Sequence, residues 1–353
     1  MGLGIAIRVD GAPDETAAAA ASVEVVERIG QPTYYRLEYA LDIADGDFPL
    51  LKESRLGPGS ELSILVPADV DHCLVKGPVY GQQIHFEQGG SGSTLTVMGG
   101  DSSVKMDRED KVVAWSDLTD SAAASAILSD AGFVADVEET PAGHAEAKHT
   151  LIQRESDLAF VKRLARRNGH LFWISCDAEG VETAHFRRPV LDGEAAAELI
   201  INLTDPPSNV TTLEISWDVE RPTSSEALEV DLNTKEDITS SLASSPLTPL
   251  GGTGLVDVAP EPRIAHVRAP VDDSGDLQAR GEGTLIEASF FVRATGATTL
   301  TALGKVLRAH TLVNLRGAGS RHSGLWFCAG VRHTIDETEH RMDFDLIRNG
   351  WTD

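Results

Sequence analysis

The clearest alternation of apolar and polar positions lies near the C-terminus. Met342, Phe344 and Leu346 alternate with Arg341, Asp343 and Asp345, the period-two mark of a half-buried strand. Strand-like runs also fill the first third of the chain. Val23, Val25 and Val26 lead to Gly30, and β-favouring stretches follow at 34–43, 61–66, 72–79, 82–86 and 93–98. Glycine and proline punctuate them at Gly57-Pro58-Gly59, Gly77-Pro78 and Gly89-Gly90. Short strands at near-regular spacing predict a β-barrel or sandwich.

After residue 115 the period changes. Thr119 can cap a helix that carries Ala123, Ile127, Leu128 and Ala131 and stops at Gly132. A second helix is predicted from about Ser156. Its apolar face is Leu158, Val161, Leu164 and Ala165, with Asp157 at its start and Arg163, Arg166 and Arg167 at its end. That charge order suits the helix dipole, and Gly169 is placed to close the helix in the left-handed conformation. Strands at 170–175 and 182–187 follow. The stretches 210–219 and 226–232 are strand-like again, and 276–288 predicts a helix with Leu277, Gly281, Leu285 and Ala288 on one face. The segment 239–262, rich in Ser, Pro and Gly, predicts a long exposed loop. The expected fold is therefore mainly β with an α+β insert between two β-rich halves, divided at 1–115, 116–208 and 209–353.

Charge narrows the class of function. The chain carries 55 acidic against 30 basic residues, a formal net charge of −25. Nucleic-acid binders show the opposite balance, so no specific nucleic-acid binding is expected. No apolar run approaches the roughly 20 residues of a membrane span, so no membrane insertion is expected. The apolar stretch 1–7 is short and lacks a basic flank, which argues against a signal peptide and for assembly in the cytoplasm.

Candidate chemistry is sparse. Cys73, Cys176 and Cys328 are odd in number and far apart, so they read as buried small apolar residues rather than a disulfide framework or zinc site. His144 and His149 are spaced five apart around Glu146, not four as a metalloprotease helix needs, and read as loop residues. His322, His333 and His340 read as polar strand and turn positions. No G-x-S-x-G occurs. Ser320, near His322, reads as a hairpin tip, and Gly251-Gly252-Thr253-Gly254 lacks the Lys of a phosphate loop. No catalytic, cofactor-binding or metal residue is assigned. Carboxylate pairs cannot be judged from sequence, so a baseplate-associated peptidoglycan-degrading enzyme stays as the alternative. A carbohydrate-binding module would show exposed aromatics, and aromatic content is only 5%.

Two windows carry a resemblance. Gln153, Glu155, Ser156, Asp157, Phe160, Val161, Arg163, Leu164, Ala165 and Gly169 resemble the pattern Q-x-E-[ST]-D-x-x-F-[LV]-x-R-L-A-x-x-x-G of the phage late-control protein D family, shared by the N-terminal hub region of VgrG spike proteins. Val313, Leu315, Gly317 and Gly319, then Ser323, Gly324 and Trp326, then Val331, His333, Ile335 and Asp336, resemble that family's closing pattern. Where the family often has a glycine before this strand, the chain has Ala309-His310. The likeness runs over roughly residues 5–349.

The resemblance implies two tube-like β-barrel domains flanking the α+β region, with three copies in a ring. Two barrels in each of three chains would match a hexameric inner tube on one face and a trimeric spike on the other. The implied function is a structural baseplate hub of a contractile injection system or phage tail, with no enzymatic activity and no cofactor. The implied partners are the homotrimer itself, the spike protein, the inner tube protein and other baseplate components. A tape measure or cargo could pass through an acidic lumen without sticking. The chain ends at Asp353, directly after its last predicted strand, so the spike is expected to be separately encoded.

Overall fold

In the computed structural model, the alternating run near the C-terminus forms the strand His340–Arg348, with Met342, Phe344 and Leu346 at most 2% exposed and Arg341 exposed. The structure describes all residues except 1–3, 44–46, 91, 148–149, 232–233, 270, 272 and 353. His149, singled out above, lies outside the described residues.

One sheet of 13 strands dominates the molecule. Its order begins with Val210–Trp217, Val292–Thr299, His340–Arg348 and Gly324–Ile335 from the second half. It continues through Ser22–Arg28, Tyr34–Ala40, Thr94–Gly100, Val75–His85, Glu61–Leu65, Ala6–Val9 and Ala12–Pro13 from the first. The chain is thus mainly β, as expected. The expected closed barrels are corrected: no closed barrel is present among the described residues, because the two halves share this sheet.

The strand Gly324–Ile335 explains the sharing. Twelve residues long, it pairs along one edge with His340–Arg348. Its other partners divide it: Gly324 to Phe327 pair with Leu312–Arg316, and Gly330 to Ile335 pair with Ser22–Arg28. The sheet forks there. An irregularity between Cys328 and Gly330 sits at the fork, where a bulge bends a strand and re-aims its edge.

Three apolar cores lie against this framework. The first gathers residues from Ile7 to Val97 and takes in Ile335 from the far half. The second gathers Ala197 to Trp351 around Trp326, Phe291 and Phe344. Its Ala197 and Leu199 belong to the strand Ala197–Ile200, which runs parallel to Leu312–Arg316, so this core begins well before residue 209. The third, from Met106 to Phe186, holds the helices Asp120–Asp130 and Asp157–Arg167 over the strands Leu171–Asp177 and Glu182–Arg187. A smaller cluster of Ile286, Phe290, Leu312, Phe327, Ala329 and Ile347 also touches Ile29 and Leu171, and so joins all three regions. Each Val, Leu, Ile, Phe or Met side chain so removed from water contributes about 1.5–3 kcal/mol.

Two local expectations differ from the structure. The runs at 72–79 and 82–86 belong mostly to one strand, Val75–His85, which absorbs Gly77, Pro78 and Gly81 with a bulge between Val79 and Gly81. The loop expected at 239–262 is corrected in part. Asp237–Leu242 is a strand paired with Ser224–Val230, and Leu255–Val258 is one helical turn. The small sheet around Ser224–Val230 is covered by the helix Ser274–Ser289, whose Leu277 packs beside Ala227 and Ile238. A strand reading Asp-Ile-Thr-Ser-Ser-Leu, with few apolar positions, carries too little signal to announce itself.

Candidate functional site

The signature window is a network of caps. Ser156 begins the helix Asp157–Arg167 and accepts from the Ala159 N–H at 3.2 Å, occupying one of the donors a helix start leaves unpaired. Its hydroxyl also donates to Asp107. Gln153 is fully buried; its amide donates to Asp157 at 2.7 Å and accepts from the Trp115 indole at 3.2 Å. Glu155 holds Arg163 at 2.6 Å, and Asp157 holds Lys111. Every polar letter of the signature thus fastens the helix to the antiparallel pair of strands Asp110–Trp115 and Leu151–Ser156 or to the chain beside it.

Gly169 does more than end that helix. It sits at φ +68°, and a Cβ there would come 2.6 Å from Ile286 and 3.0 Å from Gly283. A Cβ on Gly283 would in turn stand 2.8 Å from the Gly169 nitrogen. Two glycines therefore let the insert press against the helix Ser274–Ser289 of the second half. Nearby, buried Asp120 binds Arg167, accepts from Asn168 at 2.7 Å and meets His144 Nε2 at 2.7 Å. His144 is thus a buried partner of an ion pair rather than a loop residue.

The closing window is equally structural. A Cβ on Gly317, at φ +82°, would overlap the Ile201 carbonyl. The Trp326 indole donates to the His322 carbonyl at 2.9 Å. His333 and His340, seven residues apart, meet at 3.0 Å between Nδ1 and Nε2. Burial holds His340 down at about 4, and burial and its neighbour hold His333 well below the ordinary imidazole range. Ser320 is exposed in the single turn Gly319–His322, away from a triad geometry.

The junction of the halves contains what the sequence did not announce. Arg308 bridges the halves. Its guanidinium donates to Glu27 at 2.8 Å, to Asp69 at 3.3 Å and to the Leu74 carbonyl at 3.2 Å, while Glu27 also accepts from the Ala309 N–H at 2.8 Å. Burial alone would lower the Arg308 pKa; the two carboxylates overcome it and hold it above its ordinary value. Next to it, His310 lies against Trp173 of the insert, ring centroids 4.2 Å apart, and burial pushes it down to about 3. The positions Ala309-His310 are thus built into the junction. Cys73 and Cys176, distant in sequence, face each other across paired strands as buried free thiols, and Cys328 is buried at the fork. No signal short of the fold could have brought these residues together.

Among the described residues, no group of three or more His, Cys, Asp or Glu is arranged to hold a metal ion, and no helix is long and apolar enough to cross a membrane. What the molecule does offer is surface. The forked sheet has three open ends among the described residues, at Val210–Trp217, Ala12–Pro13 and Ala197–Ile200. Near one lies Trp217, 57% exposed; the first half shows Tyr80 at 59% and Phe86 at 55%. An open edge with exposed aromatics is a place for another chain to add.

The whole fold recurs in solved structures. A prophage MuSo2 tail protein from Shewanella oneidensis matches with a TM-score of 0.66 and 14% identity, covering 98% of each chain. A tail protein from Neisseria meningitidis MC58 matches at 0.67 and 14%, covering 99% of this chain and 97% of its own. The E. coli c3393 protein, described as a type VI secretion component with similarity to the T4 tail proteins gp27 and gp5, matches at 0.60 and 14%, covering 98% of this chain and 79% of its own. At such identities the likeness is one of fold. No curated protein sequence matches the chain. The Alg8 N-terminal domain model, however, matches residues 3–241, more than half of the length, and the chain belongs to that family.

Proposed function

We propose that this chain is a structural hub of a phage-tail or phage-like contractile baseplate, joining a hexameric inner tube to a trimeric spike. The observation that carries the reading is the full-length likeness to tail-protein folds of two β-rich halves joined through one forked sheet. In this reading the late-control protein D resemblance reflects common descent of hub architecture, with regions 1–115, 116–208 and 209–353 as tube-like, insert and tube-like parts. Three copies form a ring, since rotation about one axis gives every open sheet edge a partner without leaving a free end. The hub acts through its surfaces and not through catalysis, with the tube, the spike and neighbouring baseplate proteins as partners, and it assembles in the cytoplasm.

Light scattering on the chain co-expressed with its tube and spike proteins tests this. The mass of three copies per spike trimer is expected, and a monomer in the assembled particle would sink the ring. A zymogram on cell walls should show no clearing by the purified chain; a clearing band would favour the peptidoglycan-degrading alternative.

A further inference from the structure

The chain's basic residues are not spread evenly. A cleft of about 1520 Å³ opens between the helix Asp157–Arg167, the helix Ser274–Ser289 and the sheet. Ten Lys and Arg side chains line it against four Asp and Glu, in a chain where acids outnumber bases 55 to 30. One third of all its positive charge is thus gathered on one concave surface. Nine of the ten are arginine, whose planar fork suits a carboxylate better than the point charge of lysine does.

Much of that charge is unspent. Lys162, Arg268 and Arg293 have no ion pair or side-chain hydrogen bond among the described residues. Arg166 reaches Glu287 only at 3.3 Å, with both side chains more than 60% exposed, a pair of little energetic worth. Deeper in the wall, His170 is 5% exposed and neither ring nitrogen has a hydrogen-bond partner; the nearest carboxylate oxygen, from Glu138, is 3.7 Å away. The buried Nε of Arg280 is likewise without a partner. These two groups lie below the surface, so the positive charge open to a partner is that of Lys162, Arg166, Arg268 and Arg293 on the rim.

Charge density and size separate the kinds of anion. Phe172, Ile286, Phe290 and Phe327 lie beneath the rim but are at most 9% exposed, so the surface the cleft offers is chiefly its charged rim. A nucleic-acid backbone carries a charge at every phosphate and so meets the long-range repulsion of a chain at −25 along its whole length, whereas a polypeptide segment can bring a few carboxylates to the rim alone. A small anion would leave most of the volume empty, since small-ligand sites run to roughly 1,000 Å³. We infer that this cleft is a docking site for an acidic polypeptide segment of another protein, one whose carboxylates meet the arginine rim. The inference stands on the cleft itself and does not depend on the hub reading.

The test is fluorescence anisotropy with a labelled peptide that alternates Glu with Gly and Ser, titrated with the full chain. Saturable binding is expected, weakening on the order of tenfold between low and physiological salt. The double variant Arg268→Glu with Arg293→Glu should weaken binding at least tenfold at unchanged Tm, because both side chains are exposed and unpaired. The control Arg108→Glu with Arg154→Glu makes the same change in net charge on exposed residues away from the cleft, and should bind as the parent does. Equal binding by the two double variants would overturn the proposal. So would tighter binding of a single-stranded DNA oligonucleotide than of the peptide. Hydrogen exchange that finds the cleft protected by self-association in the absence of peptide would overturn it too.

Discussion

The insert and the junction of the halves are both rich in buried polar groups, yet they satisfy them over different ranges. In the insert, Ser156 caps a nitrogen three residues away, Gln153 bonds Asp157 four residues away and Glu155 holds Arg163 eight residues away. At the junction, Arg308 finds Glu27 and Asp69, which lie 281 and 239 residues away. The insert's longer bonds, such as Ser156 to Asp107 and Asp120 to Arg167, span 49 and 47 residues and stay within the stretch of its own core, Met106 to Phe186. The junction exists only once both halves are folded, so a defect there should cost the whole sheet, whereas a defect in a cap should cost one helix.

The largest effect is expected from Glu27→Ala. It leaves the Arg308 charge without its closest carboxylate and the Ala309 N–H without an acceptor, a loss of about 3–5 kcal/mol. Guanidinium unfolding should show one transition shifted as a whole. A second transition, with the first half folding apart from the second, would break the idea that the forked sheet makes them one unit.

Acid sharpens the comparison next. In the unfolded chain His340, His333 and His310 take up protons near the ordinary 6.5; in the folded protein burial holds His340 at about 4 and His310 at about 3. The unfolded state therefore binds more protons below about pH 6.5, and stability falls as pH falls from there to about 4, by on the order of 2–3 kcal/mol each for His340 and His310. Asp101, pushed up to about 6 by burial, works in the opposite sense: its contribution is present at low pH and is lost as pH rises through about 6. Hydrogen exchange at pH 7 and pH 5 should show the strands beside the fork loosening more than the helix Asp157–Arg167. His333→Leu should flatten the acid limb, and an unchanged limb would remove the histidine pair from the account.

Gly283→Ala probes the contact between the regions. The added methyl meets the backbone at Gly169, and overpacking of this kind costs about 1–3 kcal/mol. Limited proteolysis should find the insert cut sooner while the sheet strands stay protected. The smallest effect belongs to Ser156→Ala, about 1 kcal/mol for a lost cap. Hydrogen exchange should rise in the first turn of that helix and nowhere in the sheet; a rise at Gly324–Ile335 would mean that the insert and the fork are coupled.

The same contrast explains what could be read in advance. Ser156, Asp157 and Gly169 announced a helix and both its ends, and the structure has them there. The strand at 340–348 was legible because one of its faces is buried and the other is not. By contrast, His144 read as a loop residue because its partner Asp120 is 24 residues away. The histidines His333 and His340 read as unconnected polar strand positions because their contact crosses between two strands. The strand Asp237–Leu242 was missed because a helix brought from elsewhere covers it. Separate closed barrels were expected because the two runs of strands look self-sufficient; nothing in either run tells that one long strand will serve both.

By itself, then, the sequence determined the kinds of elements, the capped helix of the insert, the acidic character of the chain and the absence of a recognisable catalytic pattern. These follow from interactions within about one turn of a helix or one hairpin, or from composition alone. Only the tertiary structure decided that the halves share one forked sheet, that Arg308 and Glu27 join them, and that a third of the basic side chains meet in one cleft. Each of those depends on contacts between residues hundreds of positions apart, and no local period or spacing encodes which distant residue will stand opposite.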